Sequence, residues 1–309
     1  MGKLIKKFKS HLNYKTNLNE EILYNVSLCE DEYHLHFDQY INTTHDYSLD
    51  YFTLEFLEPG TITIENYWDG YSEAAYLYED EKIYYSLNNG STWNYFEYDY
   101  ELNDGNGAYV PVSVQAGDKL IMKAIKIGWY ASESTAGFKI ASTCNFNACG
   151  NIMSLIWGDD FIGQTDFKNN YDVPEDGKLD ARGCMAFSNL FNGNTNLINA
   201  ENLILPATTL CEDFGSEYEY MFNGCTSLLS APTLIAPKLS SYSYNNMFNG
   251  CSSLTKIICL ATDISASDCT TNWVDGVAAS GTFTKAANMN NWTTGTSGIP
   301  NGWTIQNAA

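Results

Sequence analysis

The feature that most constrains this chain is a repeated segment in its C-terminal half. The sequence MFNGCTSLLSAPTL begins at Met221, and a close copy, MFNGCSSLTKIICL, begins at Met247. A weaker copy, LFNGNTNLINAENLIL, begins at Leu190. The copies start 31 and 26 residues apart, which is a period typical of solenoid proteins. Because one such unit cannot bury its apolar face alone, the sequence predicts stacked units with a shared core and an exposed binding face.

Each copy predicts the same local structure. The segment that ends in MFNG is expected to form a short helix, with Gly224 and Gly250 as left-handed C-caps. The apolar stretch that follows, such as residues 228–234, is expected to be a strand that lines the stack. Eight residues at matching positions are predicted to form the repeat core: Phe191, Leu197, Phe222, Cys225, Leu228, Phe248, Cys251 and Leu254.

The nine cysteines argue against a metal site and against a disulfide framework. Their number is odd, and no two of them have the CxxC spacing typical of zinc ligands. Cys225 and Cys251 follow an Asn-Gly in consecutive copies, which favours small buried residues in a ladder. Reduced thiols of this kind fit a protein assembled in a cytoplasm. We expect no cofactor and assign no metal ligand; the loop Asn103-Asp104-Gly105-Asn106-Gly107 is explained equally well by a calcium site and by turn chemistry alone.

Residues 46–145 have the pattern of an all-β unit. Alternating apolar residues flank Pro59-Gly60, Asn89-Gly90 and, further along, the sequence QAGD, which predicts pairs of strands joined by turns. Several short strands with regular turn signals favour an immunoglobulin-like β-sandwich. The many Tyr and Trp residues of this region either fill its core or leave an exposed face that stacks on sugars or contacts protein.

Residues 1–45 form a short head with a basic tip. The alternation in NVSLCEDEYHLHF, which starts at Asn25, predicts a small hairpin around an acidic turn. His34 and His36 share one face of a strand, but two histidines without a third ligand favour surface or interface roles over a metal site. The lysines near the terminus, with apolar residues at helical spacing between them, indicate either a solvated end or a docking arm. These lysines are Lys3, Lys6, Lys7, Lys9 and Lys15.

Composition and charge exclude several partners. The net charge of −21 disfavours nucleic acid, because phosphate binding needs clustered Lys and Arg. With 44% hydrophobic and 17% charged residues, the chain has the composition of a globular protein. No apolar run approaches the roughly 18 residues of a membrane span, so no membrane insertion is expected. The N-terminus lacks the apolar segment and cleavage site of a secretory signal, which predicts a protein that is not exported.

The repeats resemble the BspA-type leucine-rich repeats of surface and phage proteins from Bacteroidetes. The segments MFNGCTSLLSAPTL and MFNGCSSLTKIICLATDIS carry this resemblance, and GTFTKAANMNNWTTGTSGIPNGWTIQNA is similar to the closing segment of those proteins. The block from TLEFLEPGTITI to NFNACGNIMSLIWGDDF resembles the β-domain that commonly precedes the repeats. The predicted fold is therefore mixed, with a β-rich N-terminal half followed by a short α/β leucine-rich-repeat solenoid. The predicted division is 1–45 anchor, 46–145 β-sandwich, 146–275 repeats and 276–309 cap.

The head resembles the N-terminal segments of virion structural proteins in Bacteroides phages and crAss-like phages. The segment FKSHLNYKTNLNEEILYNVSLCEDEYHLHF carries this similarity. It implies a virion protein that is made in the host cytoplasm and held by its N-terminus. The implied partners are phage capsid or tail proteins, further copies of the chain in a dimer or trimer, and a host-surface glycan or protein. The residues implied in virion anchoring are Lys6, Lys7, Phe8, Asn25, Val26 and Cys29.

Three functions from different classes compete. The leading hypothesis is a phage head fibre or tail-associated appendage, and the alternative is a bacterial BspA-like surface adhesin, which requires export. A polysaccharide depolymerase is disfavoured, because no histidine follows His45 and no Ser-His-Asp or Cys-His arrangement can form in the repeats. Asp159, Asp160 and Asp166 are better explained as caps of turns or helices than as a catalytic carboxylate pair. No catalytic residue is predicted, and the chain is not expected to be an enzyme.

Overall fold

The chain is β-rich and contains few helices. The computed structural model describes residues 23–28, 35–40, 45–67, 82–99, 101–102, 108–124, 137–167, 186–211 and 215–308. The helical elements whose bounds are described are the four-residue α-helix α1 (Ser154–Trp157) and the 3-10 turns Tyr47–Leu49 and Gly158–Asp160. The strands are β1 (Leu23–Leu28), β2 (Leu35–Tyr40), β3 (Phe52–Phe56), β4 (Gly60–Tyr67), β5 (Ile83–Ser86), β6 (Asn94–Tyr95), β7 (Tyr98–Asp99), β8 (Ala108–Tyr109), β9 (Val112–Val114), β10 (Lys119–Ala124), β11 (Gly137–Ser142), β12 (Phe146–Asn151), β13 (Leu197–Ile204), β14 (Ser230–Leu234), β15 (Lys256–Cys259), β16 (Thr282–Lys285) and β17 (Thr304–Asn307).

Two larger sheets dominate the first half of the structure, which also contains the two-stranded pairs β1-β2 and β7-β8. One has the strand order β13-β12-β3-β10-β5-β6, and the other has the order β11-β4-β9. Buried side chains from both sheets, including Leu54 and Leu120 from the first and Ile64 and Ile140 from the second, belong to one hydrophobic core. This shared core explains why apolar residues alternate along the strands, since each sheet turns one face toward the other.

The predicted strand pairs differ in whether they form hairpins. The pair around Asn89-Gly90 is confirmed, because β5 and β6 are antiparallel neighbours and both turn residues have positive φ, 54° and 77°. The strands around Pro59-Gly60 are present, but β3 and β4 lie in different sheets. Both edges of β3 are already paired, with β10 and β12, so no edge remains for β4. The strands β9 and β10, on either side of QAGD, are separated in the same way.

The strand β12 joins the two-sheet half to the repeats. It is antiparallel to β3 on one side and parallel to β13 on the other. The strand β13 is the first strand of the repeat region, so the six-stranded sheet runs directly into it. The boundary predicted between residues 145 and 146 therefore falls beside a strand that hydrogen-bonds to both halves.

The repeats form a stack of parallel strands. The strands β14, β15, β16 and β17 pair in this order, each parallel to the next. The strand β13 approaches β14 through a backbone hydrogen bond from Leu229 N to Ile198 O at 2.9 Å and through a bridge between Leu205 and Leu234. One strand per copy thus lines the stack, as the sequence predicts.

The short helix predicted for the segment that ends in MFNG is wrong, because residues 217–224 and 241–250 form consecutive tight turns. Ser216, Tyr220 and Gly224 have φ of 67°, 55° and 70°, and a positive φ at every fourth residue is incompatible with a helix. Alternate backbone N–H groups bond to the next copy, as in Phe222 N to Met247 O at 2.9 Å. The left-handed glycines are confirmed.

A fourth copy, WVDG, begins at Trp273 and was missed by sequence reasoning. Gly250 N donates to Asp275 O at 2.7 Å, which is the bond that Gly224 N makes to Asn249 O one copy earlier. The strand β16 follows this copy and pairs with β15, and β17 adds a further strand. The segment predicted as a cap, 276–309, therefore contributes two strands to the stack.

The head contributes the predicted hairpin. The strands β1 and β2 are antiparallel, with Asn25 opposite Asp38 and Val26 opposite Phe37. The other residues proposed for virion anchoring, which are Lys6, Lys7, Phe8 and Cys29, lie outside the described residues. None of the helices in the described part of the chain has the length and apolar character of a membrane span.

Candidate binding surfaces

The core of the stack is a ladder of aromatic rings. The rings of Phe191 and Phe222 are stacked with centroids 5.4 Å apart, and those of Phe222 and Phe248 are stacked at 5.5 Å. Stacked or tilted aromatic pairs contribute about 0.5–1.5 kcal/mol beyond the apolar area that they bury. All eight residues assigned to the repeat core from the sequence are buried in the structure. The ladder gives the stack a fixed spacing, so that surface side chains hold regular positions.

A second aromatic column runs beside the first. It contains Phe187, Tyr218, Tyr244, Trp273 and Trp292, and each ring contacts the next at centroid distances of 5.4–6.2 Å. Sequence reasoning missed this column, although Tyr218 and Tyr244 stand at the same position in consecutive copies. Both columns are core, and neither forms a ligand site.

The cysteines of the stack are structural. Cys225 Sγ donates to Phe191 O at 3.1 Å, and Cys251 Sγ donates to Phe222 O at 3.0 Å, so each thiol bonds to the preceding copy. Burial raises the pKa of Cys225 to about 12 and also raises that of Cys251. The thiol and not the thiolate is therefore present at neutral pH, which makes these residues poor nucleophiles and poor metal ligands.

The outward side of the stacked strands is an open surface of small polar side chains, which we call the strand face. Two rows of residues in register alternate with buried residues such as Ile257 and Phe283. The strand face consists of Ser230, Lys256, Thr282 and Thr304 in one row and of Thr233, Ile258, Thr284 and Gln306 in the next. Hydroxyl groups dominate it, and each can both donate and accept a hydrogen bond.

A charged group borders the strand face on one side. Lys256 Nζ lies 3.7 Å from Glu201 Oε2 of β13, so this lysine reaches past the small Ser230 between them. Both side chains are close to half exposed, and ion pairs of this kind contribute little to stability. The pair leaves most of the strand face uncharged, which suits a neutral hydroxyl-bearing partner better than an ionic one.

A second surface feature lies on the two-sheet half and is called here the Lys123 cluster. Lys123 Nζ lies 2.7 and 2.8 Å from the two carboxylate oxygens of Asp159, and Tyr51 Oη donates to Asp159 Oδ1 at 2.6 Å. The ammonium also lies 4.2 Å from the centre of the Trp93 ring. The cluster joins β10 to the turn after α1.

The electrostatics of the Lys123 cluster indicate a structural clamp. Hydrogen bonds from Lys123 and then from Tyr51 hold the pKa of Asp159 below its usual value. Burial, followed by the hydrogen bond to Asp159, raises the pKa of Tyr51 to about 12. The charges of the cluster are thus satisfied by one another. Asp159 pairs with a lysine, although the sequence suggested that it caps a turn.

The aromatic side chains of the two-sheet half are mostly paired with one another. Tyr85 packs on Phe96 with centroids 4.9 Å apart, and Tyr84 contacts Tyr95 edge-on at 6.5 Å. Tyr95 is 43% exposed, and Lys82 Nζ lies 4.0 Å from its ring centre. These contacts favour cross-strand pairing over an open aromatic platform. Several other aromatic residues of the region, including Trp68, lie outside the described residues.

The described residues contain no group of three or more His, Cys, Asp or Glu that could hold a metal ion. His34, of the histidine pair, lies outside those residues. No protein-family model, curated protein or solved structure matches the chain. Its function is therefore inferred from its own surfaces and from the resemblance of its motifs.

Proposed function

We propose that this chain is a structural virion protein, a phage head fibre or tail-associated appendage that recognises the host surface. The observation that carries the proposal is the strand face. It is an open, regular surface of small hydroxyl-bearing side chains on a stack whose spacing is fixed by aromatic ladders. A rigid surface loses little conformational entropy on binding, which favours recognition over chemistry.

The finer architecture belongs to the same proposal. We take the parallel stack as a short leucine-rich-repeat solenoid in which tight turns replace the helix of each copy. The two-sheet half is taken as an immunoglobulin-like β-sandwich that covers the first copy. Terminal units of a solenoid need a cover, and β12 and β13 provide a continuous sheet across that boundary.

The N-terminal head is proposed to hold the chain on the particle. Its resemblance to virion proteins supports this role, and phage capsid or tail proteins are the proposed partners. Assembly as a homodimer or homotrimer in the host cytoplasm is part of the proposal. The cysteines of the stack are free and buried, which fits a reducing compartment.

Immunogold labelling tests the location of the protein. An antibody raised against residues 215–308 is applied to phage particles and to cells of the strain on which they grow. Gold on particles is the expected result, and its position separates a head fibre from a tail appendage. Gold on cell envelopes with unlabelled particles overturns the virion proposal and favours the bacterial adhesin.

Binding of the purified full chain to those cells tests the strand face. Thr284→Trp places a large side chain in the middle of the face and is expected to reduce cell binding by about tenfold or more. Thr226→Trp makes the same change at an exposed threonine that follows the MFNGC segment. Equal binding by the two variants contradicts recognition through the strand face.

A further inference from the structure

A groove lies beside the loops that follow the strands of successive copies. Its volume is about 540 Å³, which is within the range of roughly 300–1,000 Å³ for small-molecule sites. Two pairs of adjacent hydroxyl residues line it, Thr208-Thr209 from one copy and Ser240-Ser241 from the next. Each hydroxyl can donate and accept a hydrogen bond. The groove thus brings together hydroxyl groups from two layers of the stack.

The rest of the lining is mainly apolar. Leu210 and Leu239 stand at matching positions of the two copies and are buried behind the groove, and Ala266 contributes from the third layer. Lys238 is the one charged residue among the described residues that line the groove. Thr208 and Thr209 are exposed and Ser241 is partly exposed, so their hydroxyl groups offer hydrogen bonds to a ligand from both layers.

A buried glutamate supports the groove from below. Glu217 is fully buried, whereas the corresponding positions in the other copies hold Ala186, Ser243 and Cys269. Its Oε1 accepts a hydrogen bond from the backbone N–H of Cys211, and its Oε2 accepts one from Ser240 Oγ at 2.9 Å. Both partners line the groove. A buried carboxylate is costly, so its presence in only one of these four copies marks a place where groove geometry is held by polar contacts.

We propose that this groove binds a neutral sugar unit of a host-surface glycan. The hydroxyl groups of Thr208, Thr209 and Ser241 can pair with the hydrogen-bond donors and acceptors of a sugar ring. The net charge of −21 disfavours an anionic saccharide. This site deepens the proposed role in host recognition and rests on it for the source of the sugar. Glu217 acts as a positioning residue through Cys211 and Ser240.

Ligand-observed saturation-transfer NMR on the full chain tests the groove, with neutral hexoses and N-acetylhexosamines as the probes. Binding by the wild type is expected. Thr209→Trp fills the groove from its exposed rim and is expected to weaken binding by about tenfold or more. Thr226→Trp is the matched control and should bind as the wild type does. Absence of sugar binding by the wild type, or equal binding by Thr209→Trp, overturns the proposal.

The role of Glu217 needs a separate pair of variants. Glu217→Gln retains an oxygen that can accept from Cys211 N and is expected to change sugar affinity by less than about threefold. Glu217→Ala removes both contacts and is expected to weaken affinity by about fivefold or more, with the fold checked by circular dichroism. Equal affinities for the two variants contradict the positioning role of the carboxylate.

The groove and the virion proposal can fail independently. If gold labels the particles but the wild type binds no sugar, the proposed sugar site in the groove is wrong and the proposed virion appendage stands. If Thr209→Trp removes sugar binding but gold labels only cell envelopes, the sugar site in the groove is supported and the virion appendage is overturned. Loss of sugar binding in Thr284→Trp but not in Thr209→Trp assigns the sugar to the strand face and overturns the groove.

Discussion

The two ends of the repeat stack are finished in different ways. At the N-terminal end, the Phe191 ring is buried, with Phe52 at 6.1 Å and Phe146 at 6.2 Å between centroids. At the C-terminal end, Ile305 follows the buried Ile257 and Phe283 in the same column, yet it is 49% exposed. One end of the core is covered by the two-sheet half, and the other end meets solvent at its last strand.

This difference shows that burial in a stack is set by the next layer rather than by the residue itself. The covered end also receives backbone partners. Ile140 N of β11 donates to Leu190 O at 2.7 Å, and Asn194 Nδ2 donates to Ile140 O at 3.0 Å. The two-sheet half therefore acts as a cover that supplies both apolar contacts and hydrogen bonds to the first copy of the stack.

The largest expected effect is at the covered end. Phe191→Ala removes a ring that contacts both halves of the molecule and should lower the free energy of unfolding by about 3–5 kcal/mol. Ile305→Ala removes a half-exposed side chain at the open end and should cost about 1 kcal/mol. Urea denaturation of both variants measures the difference. Equal costs at the two ends contradict the asymmetry.

The interior of the stack is tested by the pH dependence of Glu217. Burial raises the pKa of this carboxyl from 4.5 to about 7. The folded state therefore binds the proton more tightly, so stability falls as pH rises from about 4.5 to about 7 and is level outside that window. Glu217→Gln lacks this dependence. Its stability relative to the wild type should increase by roughly 3 kcal/mol between pH 4.5 and pH 8, since one pKa unit corresponds to about 1.4 kcal/mol.

Urea denaturation at both pH values measures this change. The contributions of the other titrating groups cancel in the difference between the two proteins, because the proteins differ at one residue. Glu201→Gln, at an exposed glutamate of β13, is the matched control. A difference between wild type and Glu217→Gln that is the same at both pH values would show that water reaches the carboxylate. The interior of the stack would then be reached by water, as the open C-terminal end is.

A smaller effect is expected from the asparagine that follows Phe222. Asn223 Nδ2 donates to Asn192 Oδ1 at 2.9 Å, which links two copies near the covered end. Asn223→Ala should cost about 1 kcal/mol in the free energy of unfolding. Asn307→Ala, on the exposed last strand, should lie within about 0.5 kcal/mol of the wild type. Thermal denaturation compares the two, and a larger cost at Asn307 contradicts the contrast between the ends.

Much of the repeat region could be predicted because its signal recurs. The identical MFNG segments place Phe222, Phe248 and the two left-handed glycines correctly. The fourth copy escaped notice because Val274 and Asp275 replace Phe and Asn, although Gly276 keeps the 26-residue spacing from Gly250. The tight turns could not be predicted, since backbone N–H groups that bond to the next copy leave no periodicity in the sequence.

The two-sheet half and the candidate sites were less accessible from the sequence. Hairpin signals at Pro59-Gly60 mark a turn correctly, but they do not say whether the next strand stays in the same sheet. The Lys123 cluster joins residues that are far apart in the chain, such as Tyr51 and Asp159. The groove depends on loops from different copies. The one local signal was Glu217, a charged residue where the other copies have small neutral ones.

The smallest expected effect lies on the outer surface of the cover. Asp159→Asn removes the charge that Lys123 and Tyr51 share and should lower stability by about 0.5–1 kcal/mol, because solvent screens an aspartate that is 58% exposed. The folded pKa of Asp159 is lowered, so this contribution is present above pH 4 and is lost as pH falls through the folded pKa. Urea denaturation at pH 7 and pH 3 measures both the loss of stability in Asp159→Asn and its dependence on pH.

A comparison with a more exposed pair decides whether the Lys123 cluster matters to the cover. Lys119 Nζ lies 2.6 Å from Glu55 Oε1, but its side chain is 67% exposed, against 13% for Lys123. Lys119→Met should therefore change stability by less than about 0.5 kcal/mol, while Lys123→Met should cost about 1 kcal/mol, because it also loses the contact with Trp93. If both lysine variants are neutral, the clamp contributes nothing to the cover. The asymmetry between the two ends then depends on the aromatic junction at Phe191 and its backbone bonds alone.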